Sequence, residues 1–278
     1  EIAQCLVGSE MCIRDRATSD RIDPESLKNN TITPNAFASA SKDYTYYEGL
    51  AAYTDGDNFD KALAEEYKTT AIEELTAAGA TFPIKMLMCY NPTSANWAQE
   101  CQVVEQQIET VLGADYVDII IQAGPETGFL GAIRRTGKYA FMKCNWGADY
   151  ADPETWTDPF STDSSYSFIF KSTDPETQAL YAEYTELVAA AKAITDDMDA
   201  RYTAFAKAEA FLLDHAFAVP FSISNRSYQM CNLNVFEGQY ASFGMANQRY
   251  KDQHLYDTSM GLEEYQAAYA EWQSKKAG

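Results

Sequence analysis

The chain has 278 residues and is strongly acidic, with 41 Asp and Glu residues, 21 Lys and Arg residues and a formal net charge of −20. Such a charge repels nucleic-acid phosphates and anionic lipid headgroups, so we expect neither as a partner. The sequence contains no run of 18 apolar residues that would span a bilayer. None of the six cysteines belongs to a CxxC pair, so neither a zinc site nor a disulfide framework is predicted.

The beginning of the chain differs in character from the rest. Residues 1–16 include the string CLVGSEMCIRDR, which resembles translated sequencing-adapter DNA, and they lack the apolar core and basic start of a signal peptide. We therefore expect residues 1–16 to be an artefact. Residues 17–58 are rich in Ser, Thr, Asn, Asp and Tyr without a sustained period, which predicts an irregular connection.

The first regular elements alternate between strand and helix. Apolar residues recur at helical spacing over 63–78 and 97–111, and a glycine suited to a helix end follows each run. The Thr93-Ser94 pair is the candidate cap of the second helix. Apolar residues alternate with other residues over 82–89 and 117–121, as they do in strands. Strand, helix and strand in this order predict a βαβ unit.

The second half of the chain continues this alternation. A short helix around 127–134 precedes an apolar stretch over 139–145, which predicts a third strand and hence an α/β lobe. Helical spacing over 177–216, with one break, predicts two helices, and 218–224 reads as a strand. A final helix is predicted over 263–275.

Two motifs carry a resemblance to a known family. Residues 146–150 read Trp-Gly-Ala-Asp-Tyr and are followed by the Asp152-Pro153 pair. Further on, 206–214 and 218–221 match a late helix and a strand with an apolar-Pro pair. In this order the motifs are similar to those of the oligopeptide-binding proteins of ABC importers, the extracellular solute-binding protein family 5.

The resemblance implies a fold of the α/β class. The chain would form one lobe of a two-lobe, periplasmic-binding-protein-like fold of type II, cluster C. Residues 59–225 would be the α/β ligand-binding lobe, and residues 226–278 a C-terminal segment that returns to the missing lobe. On this interpretation the chain is the C-terminal part of a longer bacterial protein.

The family also implies a function and a location. Its members are the substrate-binding components of ABC importers, which capture di- or oligopeptides in a cleft between the lobes and deliver them to permease and ATPase subunits. We therefore expect an extracytoplasmic protein, in the periplasm or on the outer face of the cell membrane. Its attachment to the membrane would be only through a lipid anchor in the missing N-terminal part, and we expect no cofactor and no metal.

Asp149 is the leading candidate for ligand binding. By resemblance, the Asp of this motif holds the α-ammonium group of the bound peptide, a group that peptides share whatever their side chains are. From the residues alone, the alternative is that Asp149 caps a turn or a helix start. Asp152, beside Pro153, is the more obvious turn residue, which leaves Asp149 available for a ligand.

The other candidate peptide-binding residues lie close to Asp149 or shortly before it, and each has an ordinary alternative role. Trp146 would form a wall of the pocket or pack in the core. Lys143 occupies a position where family members can carry a basic residue near the ligand, or is an exposed lysine. Asn145 and Tyr150 would bond to the ligand or form the turn. Arg134 would meet a ligand carboxylate or an acidic side chain, or lie at a solvated helix end.

Catalytic functions lack the residues they need. The two histidines, His215 and His254, belong to no metal-ligand spacing, and no nucleophile elbow or phosphate-binding loop is present. Acids such as Asp149 and Asp152 would suit a glycoside hydrolase-like enzyme, but an acidic chain contains such pairs by chance. We therefore expect a binder that is not an enzyme. The remaining alternatives are another solute, such as a nickel complex or an oligosaccharide, and a non-transport scaffold or adhesion protein.

Overall fold

A computed structural model describes most of the chain. The described residues are 28–56, 59–166, 168–169, 171–223, 232–238 and 250–276. The expected artefact at 1–16 and the last residue of the strand predicted over 218–224 lie outside them. The boundaries of the predicted lobe, at 59 and 225, stay predictions.

Seven α-helices lie in the described residues. They are α1 (Ala51–Thr54), α2 (Lys61–Ala77), α3 (Trp97–Leu112), α4 (Glu154–Thr157), α5 (Pro175–Lys192), α6 (Met198–Asp214) and α7 (Leu262–Lys276). The long helices α2, α3, α5, α6 and α7 confirm the five predicted from apolar spacing. Short 3-10 helices precede α1 and follow α4.

Acidic side chains begin three of the long helices. Asp60, Asp174 and Asp197 precede α2, α5 and α6, and each carboxylate accepts a hydrogen bond from a backbone N–H of the first turn at 2.8 to 2.9 Å. These bonds satisfy donors that a helix start leaves without partners. The caps predicted for α3 at Thr93 and Ser94 are wrong, because Asn96 precedes that helix in a left-handed conformation and makes no side-chain cap bond.

A parallel pair of strands forms the sheet in the described residues. Strands β1 (Ile84–Tyr90) and β2 (Val117–Ala123) pair so that Ile84 lies opposite Val117 and Tyr90 opposite Ala123. Helix α3 connects them, which confirms the predicted βαβ unit. The apolar sides of α2 and α3 pack on this sheet, and the buried members of the cluster are Ala64, Met88, Cys101, Leu112, Tyr116, Val117 and Ile119.

The third strand predicted over 139–145 is not formed. A single bridge joins Phe141 to Met88 of β1, and one backbone bond runs from the N–H of Ala140 to the carbonyl of Leu87 at 2.8 Å. Phe141 packs against the sheet cluster, whereas Ala140 and residues 143–145 are exposed. The stretch therefore has too little buried surface to extend the sheet.

Two further predicted elements are also shorter than expected. The helix predicted over 127–134 is a π-helix at Leu130–Arg134, and Gly128, with φ +68°, breaks the helical run on its N-terminal side. Of the strand predicted over 218–224, residues 218–223 are described, and they show one antiparallel bridge, from Ser222 to Lys28. Pro220 has no N–H to donate to a sheet, which disfavours a ladder bond at that position.

The helical half of the chain has a separate hydrophobic core. Helices α5 and α6 pack against each other and against residues 38–50 from the early irregular segment. The largest fully buried apolar side chains of this core are Tyr44, Leu50, Tyr184, Val188, Phe205, Leu212 and Leu213. The early segment, which the sequence predicts to be irregular, thus packs against α5 and α6.

A buried carboxylate fastens this segment to α6. Glu209 is fully buried, and its Oε1 accepts hydrogen bonds from the backbone N–H groups of Ile32 and Thr33 at 2.7 and 3.0 Å. Its Oε2 accepts from the hydroxyl of Thr33 at 2.7 Å and from that of Tyr44 at 3.0 Å. Burial raises the pKa of Glu209, and the four donors oppose that shift by stabilising the charged form.

The C-terminal helix α7 packs on a short segment, 232–238. The ring of Phe236 lies 5.0 Å from that of Tyr265, 5.5 Å from that of Tyr269 and 6.0 Å from that of Trp272. The return of this segment to a missing lobe stays a prediction. No described helix combines the length and the apolar character that crossing a bilayer requires.

We expect Glu209→Ala to lower the free energy of unfolding by roughly 3 kcal/mol or more, because it leaves four donors without their acceptor in a buried place. Urea unfolding followed by circular dichroism measures the loss. Glu183→Ala is the control, since Glu183 is an exposed residue of α5, and should change the free energy by no more than about 0.5 kcal/mol. Equal losses in the two variants would contradict the role of Glu209.

Candidate functional site

The turn formed by residues 146–155 leads from the region of the sheet to α4. The indole N–H of Trp146 donates a hydrogen bond to the carbonyl of Thr155 at 2.6 Å, and the backbone N–H of Asp149 donates to the hydroxyl oxygen of Thr155 at 3.1 Å. Thr155 itself is buried. One threonine in α4 therefore fixes where Trp146 and Asp149 lie relative to each other.

Trp146 belongs to an aromatic cluster. Its ring meets those of Tyr166 and Phe168 edge to face, at 4.6 and 5.6 Å between centroids. The ring of Phe160 lies 5.3 Å from that of Phe168. Trp146 is half-buried, so it packs in the cluster on one side and keeps part of its surface accessible. The two roles considered for this residue are compatible with each other.

Asp149 is exposed on the turn. Its backbone N–H is bonded to Thr155, whereas its carboxylate makes no hydrogen bond or ion pair with the residues that the structure describes. The turn-forming role belongs to Asp152, whose carboxylate accepts the N–H of Glu154 at 2.9 Å. The capping alternative for Asp149 is therefore wrong, and its carboxylate is available to a cation from outside.

Asp152 and Glu154 are not available in the same way. Arg201 of α6 binds both oxygens of Asp152 at 2.9 Å and one oxygen of Glu154 at 2.7 Å. A carboxylate held in a two-point ion pair is neutralised and fixed in orientation. Asp149 and Asp152 therefore do not form the pair of reactive acids that a glycoside hydrolase needs.

Arg134 is buried, and the alternative of a solvated helix end is wrong. Its guanidinium lies 4.8 Å from the ring centre of Phe168 and 5.9 Å from that of Tyr166. Its Nε atom is buried and has no hydrogen-bond partner in the described part of the chain. Desolvation by surrounding atoms raises the pKa of the neighbouring Cys144 thiol, although that residue is exposed, and the charge of Arg134 opposes the shift. A buried cation thus lies behind the aromatic cluster.

The remaining candidates lie on the exposed side of the turn. Lys143 is exposed and forms an ion pair with Glu100 of α3. Asn145 is exposed, with no side-chain partner among the described residues. Tyr150 is also exposed, and partial burial together with the nearby Glu154 and Asp152 raises the pKa of its hydroxyl.

Several residues that shape the site were not predicted from the sequence. Thr155 lies just beyond the recognised motif, and Arg201 is 52 positions beyond Asp149 along the printed sequence. Tyr166 and Phe168 belong to a stretch without periodicity. One sequence cue could have found Arg201. It lies in a mostly apolar helix, and an arginine that is buried there needs a carboxylate partner.

The groups that the turn and its neighbours present are ones that can bind a charged ligand. An accessible carboxylate, a partly exposed indole and a buried guanidinium come together within one turn and its packing partners. In the described ranges, no three His, Cys, Asp or Glu side chains lie close enough together to hold a metal ion. The arrangement suits a ligand that carries a cationic group and an apolar or polar surface beside it.

Solved structures that share this architecture include proteins that bind peptides. Listeria monocytogenes OppA bound to peptide matches with a TM-score of 0.61 and 19% identity, over 91% of this chain and 44% of that chain. The peptide-binding protein of a peptide ABC transporter matches with a TM-score of 0.58 and 21% identity, over 80% of this chain and 91% of that chain. The fold is therefore that of the type II periplasmic binding proteins, and the predicted fold class is confirmed.

Sequence comparison identifies relatives of this chain among the oligopeptide-binding proteins. The chain is 30% identical over 235 residues to the oligopeptide-binding protein AmiA of Streptococcus pneumoniae, an alignment that covers 79% of the chain and 35% of AmiA. No protein-family model matches. The chain is a relative of the oligopeptide-binding proteins, as its motifs predicted. It spans between 35% and 42% of the length of the curated relatives it matches.

The placement of the cysteines provides a test of this geometry. Cys144 is exposed, whereas Cys89 and Cys101 are buried, and burial with the nearby Glu100 raises the pKa of Cys101 to about 11. We expect iodoacetamide at about pH 8 to label Cys144 at least roughly tenfold faster than Cys101, because the reagent reaches the exposed thiol of Cys144 and not the buried thiol of Cys101. Mass spectrometry of tryptic peptides identifies the labelled residue.

Denaturation supplies the control for this measurement. In urea the three thiols should react at similar rates, since burial no longer protects two of them. Labelling of Cys101 before Cys144 in the folded chain would contradict the exposure of the 143–145 stretch.

Proposed function

We propose that this chain forms part of the substrate-binding component of an ABC importer and binds di- or oligopeptides through the 146–155 turn. The observation that carries the proposal is the exposed, unpaired carboxylate of Asp149 on a turn whose backbone is fixed by Thr155. The relatives named oligopeptide-binding proteins, and the solved OppA with its bound peptide, support the choice of ligand.

The chemistry of peptides fits this carboxylate. Peptides of different sequence share an α-ammonium group, and a carboxylate that binds it selects peptides without selecting their side chains. A charge-assisted hydrogen bond of this kind contributes about 1.5 to 3 kcal/mol. Oligosaccharides and nickel complexes lack an ammonium group, so the proposed role of Asp149 favours peptides over both.

The neighbours of Asp149 have proposed roles in the same complex. The exposed part of Trp146 would lie against the peptide, while its indole N–H stays bonded to Thr155. Arg134 would attract a ligand carboxylate or an acidic side chain through its positive charge, because no described carboxylate forms an ion pair with it. Lys143, Asn145 and Tyr150 would contact the ligand at the rim of the turn.

The transport role extends from binding to delivery. The complete protein would close two lobes over the peptide and present the closed complex to permease and ATPase subunits outside the cytoplasm. A lipid anchor would hold it at the membrane. We propose a binding protein and not an enzyme, since Asp152 and Glu154 are already engaged by Arg201.

The proposal is tested with Asp149→Asn, which keeps the shape of the side chain and removes its charge. In a form of the protein that carries both lobes, calorimetry with trialanine should show a loss of at least about 1.5 kcal/mol, or roughly tenfold in Kd. The expected reason is the loss of the ion pair with the α-ammonium group.

Two controls make this measurement specific. N-acetyl-trialanine lacks the ammonium group and should bind weakly to both proteins, with little difference between them. Asp196→Asn removes an exposed carboxylate from the connection between α5 and α6 and should leave the affinity for trialanine unchanged. An unchanged affinity in Asp149→Asn would remove Asp149 from the ligand site.

A further inference from the structure

The guanidinium of Arg201 joins the 146–155 turn to the helical core. Its side chain is 11% exposed, and Nε and Nη2 donate to the two oxygens of Asp152 at 2.9 Å each. Nη2 also donates to Oε2 of Glu154 at 2.7 Å. A planar guanidinium matches a carboxylate at two points and so fixes its direction as well as its distance.

The other side of the same guanidinium binds the end of α5. Nη1 donates to the carbonyls of Ala191, Lys192 and Ile194 at 3.3, 3.2 and 3.1 Å. The last carbonyls of a helix have no partners within it and carry partial negative charge, so a cation is favoured there. The guanidinium of Arg201 is therefore fixed by the end of α5 on one side and binds the 146–155 turn on the other.

The backbone of Asp152 takes part in two hydrogen bonds within the turn. Its N–H donates to the carbonyl of Tyr150 at 3.0 Å, and its carbonyl accepts the N–H of Thr155 at 3.1 Å. Thr155 in turn holds the N–H of Asp149 and the indole of Trp146. A displacement of Asp152 would therefore pass through Thr155 to Asp149 and Trp146, the two residues proposed to contact the ligand.

Electrostatics give a second reason why the turn needs this cation. Asp152 and Glu154 lie at the start of the short helix α4 and Asp158 directly after its end, which places three carboxylates around it. Lys192 binds Asp158 at 2.8 Å and approaches Glu154 at 3.6 Å, but its side chain is 40% exposed and it forms no ion pair with Asp152. Without Arg201, Asp152 and Glu154 would repel each other at short range in a place only partly open to water.

We infer that Arg201 is a positioning residue for ligand binding, which sets the place of the Asp149 carboxylate and the Trp146 ring through Asp152 and Thr155 without touching the ligand. This inference rests on the proposed function, because it names what holds the proposed ligand-binding residues in place. It goes beyond that function by assigning the position of the proposed ammonium-binding carboxylate to an arginine that lies outside the turn.

The test follows the turn directly by NMR on the 278-residue chain labelled with 15N. In Arg201→Met, the amide of Asp149 and the indole N–H of Trp146 should both shift, and the Asp149 amide should exchange with solvent at least roughly tenfold faster. The indole signal of Trp97, which packs on Phe129 beside the sheet, should not move. Arg201→Lys keeps the charge without the two-point geometry and should give an intermediate result.

Lys192→Met is the matched control, because it removes a cation from the same acidic group without releasing Asp152. Its Asp149 and Trp146 signals should stay close to those of the parent chain. If Arg201→Met does not fold, Asp152→Asn weakens the ion pair from the other side and leaves the bonds to α5 in place, so it should shift the same two signals.

Two outcomes overturn the inference. The first is that the Asp149 and Trp146 signals do not change in either Arg201→Met or Asp152→Asn. The second is an equal change in Lys192→Met, which would show that net charge alone matters. Peptide affinity of Asp149→Asn is measured separately, so a failure of the proposed function leaves the NMR result for Arg201 intact, and the reverse also holds.

Discussion

Between the bridge at Phe141 and the start of α4, the chain passes through a stretch without a helix or strand in which side chains must supply many of the bonds that a sheet would otherwise provide. Buried polar groups that lack partners are costly, so an irregular segment keeps one shape only where such bonds are provided. Thr155 and Asp152 provide them from within the turn, and Arg201 from the helical core. The shape of the candidate site therefore depends on a few polar contacts more than on regular secondary structure.

Sequence patterns predicted the parts of the fold that depend on apolar periodicity. The long helices and the βαβ unit followed from spacing, because each buries one face against a neighbour. The stretch around Phe141 was misjudged for the same reason, since apolar composition does not reveal whether a strand partner continues beside it. Asp149 and Trp146 were found through their motif, whereas Arg201 was not, because a contact between distant parts of the chain leaves no local pattern.

Four cations of this acidic chain make defined contacts around the candidate site. Arg201 neutralises two carboxylates and a helix end, and Arg134 lies buried on aromatic rings beside the turn. Lys143 pairs with Glu100 of α3, and Lys192 completes the acidic group at α4. Asp149 takes no part in these contacts, because its carboxylate has no partner among the described residues. This exposed carboxylate is therefore open to a cation from solution, since no described cation is bound to it.

The attachment of the early segment to Glu209 also bears on how the chain folds. Thr33 and Tyr44 contact a residue that is 176 and 165 positions away in sequence, and the buried members of the core outside residues 38–50 come from α5 and α6. Contacts of such long range carry a large loop-closure entropy and form slowly. Residues 31–47 therefore gain their attachment only once α6 and its buried carboxylate are in place, which makes their packing a late step in the folding of the helical half.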